Sequence, residues 1–135
     1  MTPALPDPVA AVFARYPHAA CERLLALRQM IFDEAARRNA GPLTETLKWG
    51  EPAYLTEVSR SGATIRLAWS PKSPEICKLL VNCRTSLVDT FRDHFADTLR
   101  FEGTRAICLP LSLPLPDLPL RQCVGLALTY RKRRA

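Results

Sequence analysis

The chain has 135 residues, of which 47% are hydrophobic and 24% are charged, so it can build a packed core and is not disordered by composition. Its net charge of +6 is unevenly placed, because residues 131–134 carry +4 and leave +2 for residues 1–130. These values exclude a strongly basic folded body. They predict a single domain over residues 1–130, followed by a basic C-terminal tail at residues 131–135.

The N-terminal third is predicted to be helical, and prolines mark the start and the end of its first helix. Asp7 and Pro8 start a first predicted helix, which runs to about residue 16 and is ended by Pro17. Apolar residues at helical spacing predict a second helix over residues 19–39. A single helical turn is expected over residues 44–48.

The stretch LKWGEPAY, residues 47–54, follows that turn. Gly50 can take a positive φ, and Pro52 favours an extended backbone at the residue before it. We interpret the stretch as a corner between helix and sheet, with Trp49 packed into the joint. The alternative is a ligand pocket built from this corner.

Alternating apolar residues predict three consecutive strands at residues 54–58, 64–69 and 76–83. Their connections are short, and the first contains Gly62, so the strands are expected to form an antiparallel meander. Helical spacing returns at residues 86–101.

A fourth strand is predicted at residues 104–111, and Asp117 begins a last helix that extends to about residue 130. The element order is α-α-β-β-β-α-β-α. This order predicts an α+β fold in which helices pack on one antiparallel sheet of about four strands.

Neither a membrane segment nor a disulfide framework is expected. No apolar stretch approaches the about 18 residues of a membrane-spanning helix, and the N-terminus lacks the features of a signal peptide. Five cysteines without a C-x-x-C pair argue for buried, reduced thiols, with Cys77 and Cys83 on the apolar face of one strand. We therefore expect a soluble cytoplasmic protein with no membrane partner.

Four side chains of the third long helix form a candidate metal site. Asp89, Asp93 and Asp97 follow one another at four-residue spacing, and His94 lies three residues before Asp97. Carboxylates with an imidazole suit a weakly held divalent metal such as iron or manganese. The alternative is a solvated charged face, in which aspartates pair with arginines three residues further along the helix.

A second candidate site consists of Trp49, Tyr54, Arg66 and Trp69. An apolar pocket with one cationic group is typical of sites for small anionic ligands. The alternative is that both tryptophans pack in the core between sheet and helix.

Motifs of known enzymes are missing. The sequence has no phosphate-binding glycine loop and no G-x-S-x-G elbow, and only two histidines are available for a nucleophile–base pair, so we do not expect an enzyme. Basic and aromatic residues do not alternate as on a base-stacking surface, which argues against a nucleic-acid partner. The basic tail either binds an acidic partner or solubilises the chain end.

Several motifs resemble those of the YdhG-like family of domains of unknown function. They are F-x-R-Y-P at residues 13–17, LKWGEPAY after an amphipathic helix, and the run GTRAICLP at residues 103–110. The resemblance covers roughly residues 8–130. It implies an α+β fold with an antiparallel sheet and a largely uncharacterised function.

One branch of that family is described as a frataxin-like intracellular iron chaperone, which implies weakly bound iron and an iron-accepting protein as partner. The first functional hypothesis is therefore a small binding protein that holds iron through the face of Asp89, Asp93, His94 and Asp97. The second is a protein-interaction, nucleic-acid-interaction or adaptor domain that uses the aromatic corner and the basic tail. The oligomeric state is not defined by the sequence.

Overall fold

The structure, a computed structural model, describes residues 2–81 and 86–131. Within them the chain forms four helices and a six-stranded antiparallel sheet. The helices are α1 Asp7–Arg15, α2 His18–Arg37, α3 Leu87–Phe95 and α4 Asp117–Leu128. The strands are β1 Thr44–Lys48, β2 Glu51–Leu55, β3 Ile65–Trp69, β4 Ile76–Val81, β5 Arg100–Glu102 and β6 Ala106–Pro110. The predicted α+β class is confirmed, but the sheet has two strands more than the sequence indicates.

The strands lie side by side in the order β1-β2-β3-β4-β6-β5, and every neighbouring pair is antiparallel. The predicted meander is therefore present as β2, β3 and β4. No helix among the described residues has both the length and the apolar character needed to cross a membrane.

One face of the sheet packs against the helices and forms the core. Ile65, Leu67 and Cys77 are fully buried on this inner face, because side chains of a strand alternate between the two faces. Arg66 and Lys78 lie on the outer face and are partly exposed. The predicted division of β3 and β4 into these two faces is confirmed, although Cys83 lies outside the described residues.

The stretch LKWGEPAY is a β-hairpin, so the predicted helical turn at residues 44–48 and the helix-to-sheet corner are both wrong. β1 pairs with β2 from Thr44 opposite Leu55 to Lys48 opposite Glu51. Trp49 and Gly50 connect the strands with φ values of 56° and 75°, the positive values of a two-residue type I′ turn. Trp49 does not fill a joint, because it is 90% exposed at the tip of the hairpin.

The third long helix also ends earlier than predicted. The apolar spacing continues to residue 101, but α3 stops at Phe95 and residues 100–102 form β5. Gly103, at φ 60°, lies in the tight connection between β5 and β6. Leu99 is still buried, so the apolar spacing marks core residues on both sides of the helix end.

Candidate functional site

The acidic row of α3 does not assemble into a metal site in the described part of the chain. Asp93 and His94 are exposed, and Asp97 lies beyond the last residue of the helix. Asp89 is 3.8 Å from Arg92, which is the ion pair of the alternative interpretation. No three His, Cys, Asp or Glu side chains among the described residues are grouped so that they could hold a metal ion.

The four residues of the predicted ligand pocket are distributed over three places. Tyr54 and Trp69 lie on the inner face of the sheet, whereas Arg66 lies on the outer face and Trp49 at the hairpin tip. The structure therefore does not bring these four side chains into one cleft.

Arg66 has a partner that the sequence does not reveal. Its Nη1 donates to Oε1 of Glu51 at 2.6 Å. Ala53 is the direct cross-strand partner of Arg66, so Glu51 stands two residues along on the same face. The pair explains the acid in LKWGEPAY, and it neutralises the cation that a ligand pocket would need.

Trp69 is a structural residue. Its indole Nε1 donates to the carbonyl of Pro74 at 2.9 Å, and its ring lies edge-on to Tyr16 with 6.2 Å between centroids. Burial, together with the carboxylate of Glu51, raises the pKa of Tyr16 to about 12. These contacts agree with core packing, the alternative interpretation for this tryptophan.

The inner face contains a buried ion pair between α2 and β1. Arg28 donates to both carboxylate oxygens of Glu45, at 2.6 and 2.8 Å, and to the carbonyl of Pro3 at 2.7 Å. The Arg28 and Glu45 side chains are 7% and 5% exposed. The hydrogen bond to Glu45 raises the pKa of Arg28, so the guanidinium stays charged.

Tyr54 lies beside this ion pair, directly across from Glu45 on the neighbouring strand. Its hydroxyl is buried and has no hydrogen-bond partner within the described residues. Burial raises the pKa of Tyr54, and the nearby carboxylate of Glu45 raises it further. Phe32 closes the cluster, with its ring edge-on to Tyr54 and under the guanidinium of Arg28.

A pocket of about 280 Å³ lies at the opposite end of β2 from the exposed tryptophan. It is lined by Leu55, Thr56, Glu57, Arg60, Gly62, Thr64 and Arg131. β2 has five residues, so the pocket and the hairpin tip are about 17 Å apart. The exposed Trp49 and the pocket that contains Arg131 are therefore separate surfaces.

The loop that forms this pocket is fixed to the rest of the fold through two serines. The Ser59 hydroxyl donates to the carbonyl of Ala40 at 2.5 Å, and the buried Ser61 hydroxyl donates to the carbonyl of Leu128 at 2.8 Å. The backbone N–H of Ala63 donates to the carbonyl of Ala127 at 2.8 Å. The bonds of Ser61 and Ala63 join the loop to the C-terminal end of α4, and the bond of Ser59 joins it to the segment that follows α2.

Two arginines line the pocket because of this docking. The N–H of Arg131 donates to the Ser61 carbonyl at 2.8 Å, which places the start of the basic run beside the loop. Arg60 has φ 55°, a left-handed conformation that costs a non-glycine residue about 1–2 kcal/mol. Such strain is often found at sites that hold a ligand. The sequence signal for this site is SRSG, which the pattern indicates only as a turn.

The described cysteines are free thiols of two kinds. Cys77 and Cys123 are fully buried, and Cys21 and Cys108 are half-buried. Burial raises the pKa of Cys77 to about 11 and that of Cys123 to about 12. The expected buried thiols are therefore found at two of these four positions.

These buried thiols predict a loss of stability in alkali. The unfolded chain releases thiol protons near pH 9, whereas folded Cys123 keeps its proton to about pH 12. Stability from this thiol is complete below pH 9 and falls as pH rises towards 12. Each proton contributes a slope of about 1.4 kcal/mol per pH unit.

Denaturant unfolding between pH 8 and 11 measures this slope, and Cys123→Ala serves as the comparison. The variant is expected to lose stability less steeply than the parent above pH 9, whatever its stability at neutral pH. Parallel curves for the two proteins would contradict the assignment.

Comparison of the chain with models of known families, with curated proteins and with solved structures finds no match. The fold class is that of an α+β domain with helices on an antiparallel sheet. The resemblance to YdhG-like domains stays a prediction from the motifs at residues 13–17, 47–54 and 103–110.

Proposed function

We propose that the chain is a binding domain that recognises a phosphate group in the pocket between Arg60 and Arg131. The observation that supports this function is the joint presence of both arginines on one pocket of about 280 Å³, at a loop that is bonded to α4. Guanidinium groups present paired N–H donors that match phosphate oxygens, and they remain charged at every physiological pH.

The rest of the lining is consistent with an oxyanion. Thr64 contributes a side-chain hydroxyl to the wall, whereas the Thr56 hydroxyl is already bonded to the N–H of Gly62 at 2.9 Å. Glu57 also lines the pocket and opposes an anion. The three charged side chains of the lining sum to +1, and the sequence continues after Arg131 with three more basic residues. The positive potential of this end therefore exceeds that of the pocket alone.

Inorganic phosphate at millimolar concentration is expected to shift the backbone amide NMR signals of the pocket residues. Arg60→Gln and Arg131→Gln each remove one guanidinium, so each is expected to weaken phosphate binding about tenfold, or ~1.4 kcal/mol. Glu57→Gln removes a like charge and is expected to tighten binding. Opposite signs for the arginine and glutamate variants distinguish recognition in this pocket from a general change in the protein.

Arg15→Gln is the matched control, since it removes the same charge at the other end of the sheet. Its neighbour Tyr16 contacts Trp69, the last residue of β3, whereas the pocket lies before the first residue of that strand. Phosphate affinity is expected to be unchanged in this variant. An equal loss in Arg15→Gln and Arg60→Gln, or no amide shifts in the parent protein, would refute the proposal.

The same assay distinguishes two sources of the phosphate group, a small metabolite and a nucleic-acid backbone. A small phosphate monoester tests a metabolite, and a short oligothymidylate tests a phosphodiester backbone. Deleting residues 132–135 keeps both pocket arginines, so monoester binding should survive the deletion. Oligonucleotide binding should instead weaken and become less dependent on salt, because fewer counterions are released.

Iron delivery, the function implied by the family resemblance, is supported by that resemblance alone. The described residues contain no group of three or more metal-ligating side chains, including at Asp89, Asp93, His94 and Asp97. The phosphate-binding function requires no metal.

A further inference from the structure

A second pocket, of about 240 Å³, lies between the C-terminal end of α2 and the helices α3 and α4. It is lined by Arg38, His94, Phe95, Gln122 and Leu126. Three of these side chains carry nitrogen donors or acceptors, and two are apolar. The pocket therefore combines polar groups that can hold a charged head group with apolar surface that can hold a hydrophobic body.

Arg38 occupies a position that requires a glycine on the facing helix. A Cβ built on Gly125 would collide with Nε and Cζ of the Arg38 side chain, so the guanidinium lies directly against the backbone of α4. Gly125 stands in the interior of α4, where glycine is less favourable than alanine. Its presence there is explained by the room that it leaves for Arg38.

The charge of Arg38 is only partly neutralised by the protein. Its Nε donates to Oε1 of Glu34 at 3.4 Å, a long contact. Glu34 is 1% exposed and is shared with two further arginines, Arg37 at 3.0 Å and Arg121 at 3.5 Å. Arg121 has two more carboxylate neighbours, Asp33 and Asp117. Within the described residues, Glu34 is the one carboxylate that contacts Arg38, and it also pairs with two other arginines.

We propose that this pocket binds a small carboxylate with an apolar body. The guanidinium of Arg38 receives the carboxylate, a pairing for which its planar pair of N–H donors is suited. The Gln122 amide adds a further donor. Phe95 and Leu126 cover the apolar body, and the exposed imidazole of His94 forms the rim. This site is separate from the phosphate pocket and shares none of its lining residues.

The choice of a carboxylate over a phosphate follows from the lining. A single arginine beside apolar side chains offers one bidentate contact, whereas a phosphate dianion would keep most of its charge unpaired. A carboxylate with a ring or a short alkyl chain satisfies the guanidinium and removes apolar surface from water at the same time.

Benzoate is the probe for this site, and benzamide is its neutral counterpart of the same shape. Benzoate is expected to shift the amide NMR signals of Phe95, Gln122 and Leu126 in the parent protein, and benzamide is not. Arg38→Gln is expected to weaken benzoate binding at least tenfold. Arg37→Gln is the matched control, because Arg37 also contacts Glu34 but does not line the pocket.

Gly125→Ala tests the site without removing any charge. The added methyl group collides with the end of a flexible side chain, not with backbone, so the fold is retained while Arg38 moves out of the pocket. The variant is expected to remain folded and to bind benzoate at least tenfold more weakly.

Each other outcome overturns the proposal. Equal shifts with benzoate and benzamide would show that charge is not recognised. Unchanged benzoate affinity in Arg38→Gln or in Gly125→Ala would show that Arg38 does not bind the carboxylate. An equal loss of benzoate affinity in Arg37→Gln would show that the loss comes from a change in charge around Glu34 and not from a contact in the pocket. Absence of benzoate shifts in the parent protein would refute this site, and it would not bear on the proposal for the phosphate pocket.

Discussion

Replacing Glu45 with glutamine is expected to lower the free energy of unfolding by about 3–5 kcal/mol, because the substitution leaves the guanidinium of Arg28 buried and without a counter-charge. Glutamine keeps the size of the side chain, so the loss reports charge and not packing. For a chain of this length we expect the melting temperature to fall by roughly 10–20 °C. Differential scanning calorimetry at neutral pH measures the change.

The exposed pair of Lys78 and Glu102 provides the comparison. Its N–O distance is 2.7 Å, close to that of the buried pair, but Glu102 is 64% exposed. Glu102→Gln is expected to change the unfolding free energy by less than about 1 kcal/mol. If Glu45→Gln were as mild as Glu102→Gln, water would have to reach Arg28 in the folded protein, and the buried pair would not be a determinant of stability.

A double replacement separates the cost of an unpaired charge from the value of the pair. Arg28→Met with Glu45→Leu removes both charges and fills the space with apolar groups. Such replacements of buried pairs are often neutral or stabilising. The double variant is therefore expected to recover most of the stability that Glu45→Gln loses, as measured in the same calorimeter.

The parts of the fold that the sequence predicts correctly are those with a strong local period. α2 and the meander β2–β4 have apolar residues at regular spacing, and the structure contains them within a few residues of the predicted ends. When one face of a helix or strand is buried, apolar residues recur along the sequence at the period of that element. The spacing of apolar residues therefore predicts both the element and its buried face.

The hairpin tip and the end of α3 are missed for a different reason. A type I′ turn is usually marked by Asn-Gly, whereas here Trp49 takes the positive φ. The sequence of β1 does not alternate between apolar inward and polar outward residues, because the charged Glu45 faces inward to meet Arg28. At the end of α3, Leu99 continues the apolar spacing after the helix has stopped.

Neither pocket could be predicted from spacing along the chain. Arg60 and Arg131 meet because Ser61 bonds the end of α4, and Arg38 reaches its pocket because Gly125 lacks a side chain. Both arrangements join segments far apart in sequence. The candidate residues that the sequence did single out do not come together, because Arg66 and Tyr54 lie on opposite faces of the sheet.

Gly62→Ala is expected to be the most damaging glycine substitution in the described chain. A Cβ at this position would collide with the carbonyl group of Leu128 and would lie 2.6 Å from the carbonyl oxygen of Ala127. These are backbone atoms at the end of α4, which cannot move aside as a flexible side chain can. The loop must therefore leave the helix end.

Three hydrogen bonds depend on that contact, namely those from Ala63 N to Ala127 O, from Ser61 Oγ to Leu128 O and from Arg131 N to Ser61 O. At about 1 kcal/mol for each bond, the unfolding free energy is expected to fall by about 3 kcal/mol. Hydrogen exchange at the amides of Ala63 and Arg131 should accelerate, and phosphate binding should be lost because the two pocket arginines separate.

Gly50→Ala is the control, because Gly50 has φ 75° but no atom within 4 Å of an added Cβ. This change strains the backbone by about 1–2 kcal/mol and leaves the pocket intact. A larger loss of stability in Gly62→Ala, together with loss of phosphate binding in that variant alone, is the expected pattern. If Gly62→Ala kept both its amide protection and its phosphate affinity, the loop would not need α4 to hold the arginines together, and the proposed site would lose its structural basis.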